Sequence, residues 1–132
     1  MSKVFEYEMK VRDYECDAQG IVNNANYQHY FEVTRHEFMV SLGTSFKASH
    51  EAGVDPVVSR IEINYKSSLE GDDIFVSRMT VERTGVKIVF HQEIYRKKDM
   101  KLCTTATVDV VVLVNGKLSM GNHYDEVMKD YL

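Results

Sequence analysis

NANYQHYFEVTRHEFMVSL, Asn24 to Leu42, is the stretch on which the reading of the fold turns. Tyr27, Tyr30, Phe31, Thr34, Phe38 and Leu42 recur at spacings of three and four, the period of an α-helix with one buried stripe. Val33 and Val40 widen the apolar surface, so the helix is expected to be covered on more than one side. Asn23 or Asn24 can cap its start, and Gly43 stands where a helix ends.

Outward from this helix the period changes to two. Upstream, in VFEYEMKV (Val4 to Val11), Phe5, Tyr7 and Met9 alternate with Glu6, Glu8 and Lys10, as in a half-buried strand. Residues 12 to 23 break the alternation. Downstream, a loop is expected over Ser45 to Pro56, followed by strand patterns around Ile61 to Tyr65, Ile74 to Thr84, Val86 to Arg96 and Leu102 to Val114. EGDD (Glu70 to Asp73), Gly85, KKDM and NGK supply the turns, and YDEVMKDYL at the end suits a short helix. Strand, long helix and four more strands make an α+β architecture: one long helix against a five-stranded, mostly antiparallel sheet. One helix cannot cover both faces and both edges of such a sheet, which predicts a homo-oligomer.

A chain of 132 residues without repeats, low-complexity tracts or linkers, and with Pro56 as its only proline, reads as one domain, residues 1–132. The net charge of −4 argues against nucleic acid as a partner, which needs a basic face. Cys16 and Cys103 have neither disulfide-framework nor zinc-site spacing, and the histidines lack the spacing of metal ligands, so no metal is expected. MSKVFEYEMKVR has no apolar signal core, and no apolar run reaches the roughly 20 residues of a membrane span. The expected address is cytoplasmic.

The chemistry is concentrated in DAQGIVNNANY, Asp17 to Tyr27, immediately before the helix. The first turn of a helix offers unpaired N–H groups and about half a positive charge, which suits a carbonyl oxygen that becomes an oxyanion. A carboxylate at Asp17 beside that end can attack a carbonyl or deprotonate a water that does. Gly20 frees the loop conformation and keeps the approach open. The plain alternative is a solvated Asp17 beside capping asparagines.

The segment VRDYECDAQGIVNNANYQHYFEVTRHEF resembles the signature of the 4-hydroxybenzoyl-CoA thioesterase family of hot-dog-fold acyl-CoA thioesterases, and the related thioesterases encoded with the Tol–Pal envelope system. Asp17, Gly20, Ile21, Val22, Asn23, Asn24, Ala25, Asn26 and Tyr27 follow the family pattern, and INYKSSLEGDDI resembles its second strand and following turn. The resemblance implies a sheet wrapped around one long helix, and dimers or dimers of dimers, up to a homotetramer, with active sites between subunits. It implies Asp17 as catalytic carboxylate, acting as nucleophile or general base, and the Asn24 backbone N–H as oxyanion donor. Gly20, Val22, Asn23 and Tyr27 would border the substrate. The Tol–Pal-associated relatives commonly carry histidine where this chain has Asn24, whose side chain shuttles no proton near neutral pH, and Ser68 stands where the family usually has proline. The NNANY run is nearer to thioesterases acting on acyl carrier protein.

The expected function is therefore a hydrolase that cleaves an acyl-CoA thioester to acid and thiol, with no cofactor beyond the coenzyme A of the substrate. The alternatives are an acyl-acyl-carrier-protein thioesterase and a non-catalytic acyl-binding or assembly module. Glu32 is the second catalytic candidate: it lies eight residues after Asn24 on a similar face, and one branch of these thioesterases uses a central-helix glutamate. An ion pair with Arg35 or His36 is the preferred reading of it. Arg83 and Lys87, with Lys97 and Lys98, are candidate partners for the coenzyme A phosphates, against solvation at strand ends. Cys16 is flanked by Glu15 and Asp17, which raise a thiol pKa and disfavour a nucleophile. Tyr30, Phe31 and most of the aromatic stripe are expected in the core.

Overall fold

The computed structural model describes residues 3–132; Met1 and Ser2, at the start of the N-terminal stretch and domain read above, lie outside the described residues. The chain runs β1 (Phe5–Lys10), a 3-10 turn (Asp13–Glu15), α1 (Asn24–Ser41), α2 (Phe46–Glu51), β2 (Val54–Tyr65), β3 (Ile74–Thr84), β4 (Lys87–Arg96), β5 (Lys101–Val114), β6 (Lys117–Ser119) and α3 (His123–Val127). The sheet order is β1-β3-β4-β5-β2, with β6 paired to β5, and every pairing is antiparallel. β6 makes six strands where the sequence predicts five. It spans only three residues after the Asn115–Gly116 turn, too short to show a period of two.

α1 starts where Asn23 Oδ1 accepts the Ala25 N–H (3.0 Å), so Asn23 is the cap and Asn24 the first helical residue. It stops at Gly43, whose φ of +81° lets the chain turn back while Thr44 N–H bonds the Met39 carbonyl (3.1 Å). The buried stripe is Tyr27, Tyr30, Phe31, Thr34, Arg35, Phe38 and Met39. Phe38 packs edge-on against Phe5, Phe90 and Tyr131, at centroid distances of 5.4, 6.3 and 4.8 Å. Such a fully buried ring costs about 3–5 kcal/mol to truncate to alanine. Thr34 Oγ1 lies 2.8 Å from Ser77 Oγ, tying the helix to β3. Val33 and Val40 do not share this packing: they are 40% and 58% exposed, because the sheet covers only one side of the helix.

Residues 45–56 are not the simple loop expected. Ser45 Oγ accepts the Ala48 N–H (3.0 Å) and starts α2, and β2 then begins at Val54 rather than near Ile61. Pro56 sits inside β2, an edge strand, where a missing N–H on the open side breaks no ladder bond. The register of β2 on β5 slips between Val58 and Arg60, a bulge that bends the strand around the helix. On its outer side this twelve-residue strand has no partner among the described residues, and Val57, Val58 and Tyr65 are exposed. The tail forms α3 only to Val127, five residues short of the expected run to Leu132, and residues 128–131 continue as turns.

Candidate active site

Residues 16–22 fold back on themselves. Asp17 N–H donates to the Ile21 carbonyl (2.9 Å) and Gly20 N–H to the Asp17 carbonyl (3.0 Å). Gly20 has φ +79°, the left-handed conformation that glycine adopts without strain. A Cβ there would meet nothing within 4 Å, so the requirement is conformational and not one of space. The turn is fastened to the segment before β3 by Val22 N–H on the Leu69 carbonyl (2.9 Å) and Gly71 N–H on the Gly20 carbonyl (3.3 Å). It presents Asp17 to solvent, with Oδ1 accepting the Gln19 N–H (2.8 Å) and Oδ2 open.

Glu15 fixes this turn to the helix, and the sequence reading missed it. Its Oε1 accepts from Arg12 N–H (2.7 Å) and from the Tyr30 hydroxyl (3.0 Å). Its backbone carbonyl accepts from Asn23 N–H (3.0 Å) and Asn26 Nδ2 (2.7 Å). Burial first, and the Glu15 contact second, push the Tyr30 phenol pKa far above its ordinary value. Asn26 therefore serves the helix start. A carboxylate two residues before Asp17 is the only sequence signal that could have pointed to Glu15.

At the helix start Ala25 N–H is used by Asn23 Oδ1, and Asn26 N–H by the Asn23 carbonyl (2.9 Å). Asn24 N–H has no hydrogen-bond partner among the described residues. Asn24 borders a cavity of about 190 Å³ with Ile21, Val22, Tyr27, Tyr65, Lys66, Ser67 and Ser68. Tyr65 donates its hydroxyl to the Asn24 carbonyl (3.2 Å) and stands edge-on to Tyr27 at 5.6 Å. Tyr27 is buried, and its hydroxyl accepts the Leu69 N–H (3.0 Å). Tyr65 and Lys66 are further residues missed by the sequence reading: they sit where a strand pattern ends, and only the sheet brings them to the helix. The Asp17 side chain is not among the lining residues; the turn reaches the cavity through Ile21 and Val22.

The structure gathers Gly20, Val22, Asn23, Asn24 and Tyr27 at this point and leaves Glu32, Arg83 and Lys87 elsewhere. Glu32 faces a second cavity at the other half of α1, not the one beside Asn24, because eight residues overshoot two turns and the sheet curls between. Its expected ion pair with Arg35 or His36 is not formed, since Arg35 instead donates to Gln92 Oε1 (3.0 Å). Arg83 lies nine residues into β3, roughly 30 Å along the strand from its Asp17 end. It is occupied by Asp125 (3.0 Å), as Lys87 is by Asp109 (3.3 Å). Lys97 and Lys98 are at the Asp17 end, paired to Glu8 (3.0 Å) and Asp73 (3.6 Å). The Cys16 thiol pKa is raised, by burial first and then by Asp13, Glu15, Asp17 and Asp72.

A central helix wrapped by a curled antiparallel sheet is the hot-dog fold, and residues 11–122 match the thioesterase-like superfamily, to which the chain belongs. Over 116 residues it is 31% identical to an acyl-CoA thioesterase of Haemophilus influenzae, covering 86% of this chain and 84% of that one. Over 97 residues it is 36% identical to a chloroplastic acyl-acyl carrier protein thioesterase of Arabidopsis thaliana, covering 73% of this chain and 51% of the plant protein. The crystal structure of a hypothetical protein from Aquifex aeolicus superposes with a TM-score of 0.87 at 30% identity, covering 94% and 98% of the two chains. No helix among the described residues is long and apolar enough to cross a membrane.

Proposed function

We propose that the chain is an acyl-CoA thioesterase of the 4-hydroxybenzoyl-CoA type, with Asp17 as the catalytic carboxylate. The observation that carries this is an Asn23-capped helix start whose Asn24 N–H has no hydrogen-bond partner among the described residues, with Asn24 lining a cavity beside the turn that holds Asp17. The thioester carbonyl oxygen rests on that N–H, where the helix dipole stabilises the charge it acquires. As general base, Asp17 takes a proton from water while the water oxygen bonds the carbonyl carbon; the C–S bond then breaks, and protonated Asp17 returns the proton to the leaving sulfur, which departs as the thiol. As nucleophile, Asp17 forms a mixed anhydride with loss of thiolate, and water opens it to the acid. The Asn24 side chain is not a proton carrier in either route.

The bare outer edge of β2 supports a homodimer joined edge to edge, its pantetheine channel between subunits. Lys66 on the cavity rim joins Lys97 and Lys98 as a partner for the coenzyme A phosphates, a role that Arg83 and Lys87 no longer share. The plant relative supports acyl carrier protein as the competing thioester carrier. Thiol release measured across short, long and aromatic acyl-CoAs and acyl carrier protein thioesters decides the carrier. Absence of turnover on all of them would leave a binding module and end the enzymatic reading.

A further inference from the structure

The larger cavity, about 460 Å³, lies between the C-terminal half of α1, α2 and the sheet. It falls in the range of small-molecule sites, about 300–1,000 Å³. Its walls include Met39, Ile88, Phe90 and Val110. Of the charged side chains that line it, Glu32, Arg35, Lys47 and Asp55, only Arg35 is buried, at 6% exposed. Among the described residues its guanidinium makes one hydrogen bond, Nη1 to Gln92 Oε1 (3.0 Å), and no carboxylate lies within 4.0 Å. Gln92 is itself buried and held in that orientation by donating Nε2 to the Phe31 carbonyl (3.0 Å). The arrangement therefore aims a buried cation, with most of its five donors unused, at an apolar hollow. A buried charge of this kind is stabilised when paired, and a guanidinium matches a carboxylate in shape.

We infer that this cavity binds a small organic acid, its carboxylate on Arg35 and its apolar body against Met39, Ile88, Phe90 and Val110. The fixed charges at the rim do not meet the need: the charge of Glu32 acts on Arg35 but forms no ion pair with it within 4.0 Å, and Asp55 is bonded to His50. A carboxylate side chain from a second copy would satisfy the guanidinium but leave the apolar walls empty. The site is separate from the helix start, since eleven residues of α1 put Arg35 about 16 Å beyond Asn24, with buried Phe31 between.

The test reads binding and not turnover, so its failure is distinct from failure of the thioesterase reading. Octanoate and its neutral counterpart octanol are titrated calorimetrically into the full chain at neutral pH. Octanoate is expected to bind once per chain, with octanol at least about tenfold weaker, the value of one charge-assisted hydrogen bond. Arg35→Met should weaken octanoate by the same factor and leave octanol nearly unchanged. Glu32→Gln, on the exposed rim, should leave octanoate as tight or tighter, and needs no disturbance of the core. Asp17→Asn should leave it unchanged. Equal affinity for octanol, no octanoate binding to the wild type, or loss of binding in Asp17→Asn would overturn the inference. An Arg35→Met chain that keeps its octanoate affinity but changes its sedimentation would assign the guanidinium to a second copy instead.

Discussion

Glu15→Ala removes the side chain that joins the Asp17 turn to the central helix, and its cost follows from who is left without a partner. Two bonds go: Arg12 N–H to Oε1 (2.7 Å) and the Tyr30 hydroxyl to Oε1 (3.0 Å). Arg12 is exposed, so water replaces the first at little cost. Tyr30 is 3% exposed, and its hydroxyl is left buried and unpaired, a penalty of about 1–3 kcal/mol. The Glu15 backbone carbonyl keeps its bonds to Asn23 and Asn26, so the helix start survives. The net loss is about 2 kcal/mol. With an unfolding entropy of about 2.1 cal/mol/K per residue, 132 residues give a Tm drop of about 7 °C. Thermal unfolding followed by circular dichroism, at one fixed protein concentration, measures it. In a Tyr30→Phe background there is no hydroxyl to orphan, so the same Glu15→Ala change should cost about 1 kcal/mol less or better. A change within about 0.5 kcal/mol of wild type, or strict additivity of the two substitutions, would refute the reasoning.

Three further outcomes are expected. Asp17→Asn should lower kcat for thioester hydrolysis about 10²–10⁴-fold with Tm unchanged, because an asparagine oxygen still accepts the Gln19 N–H; undiminished turnover would remove Asp17 from the chemistry. Gly121→Ala should destabilise by about 1–3 kcal/mol in urea unfolding, since its Cβ would lie 2.7 Å from Val112 Cγ2 at φ +59°. The His50 pKa is raised, first by its hydrogen bond to Asp55 and then by that carboxylate's charge. A raised folded pKa means this contact stabilises fully below the unfolded value of about 6.5 and loses its effect as pH climbs through the folded one. An NMR titration should place His50 above the ordinary value in wild type and return it there in Asp55→Asn.

Features that depend on neighbours in the chain are legible from the order of residues alone. The α1 stripe, a cap at Asn23 or Asn24, the Gly43 stop, strands β3 to β5 and the turns between them are written in spacings of a few residues. The Asp17–Gly20 turn against a helix start was legible for the same reason. α2 was legible in principle from its Ser45 cap, but a six-residue helix with no apolar period looks like a loop.

Features that depend on residues far apart emerge when the chain folds. β2 takes its place in the sheet by pairing with β5, far along the chain, with Val58 opposite Val110, 52 residues on. That pairing carries Tyr65 and Lys66 to the Asn24 cavity, while the curl of the sheet sends Glu32 to a different one and strand length takes Arg83 and Lys87 to the far end. Val33 and Val40 read as covered and are exposed, while Arg35 is buried, because burial is set by which side the sheet covers and not by the side chain's own polarity.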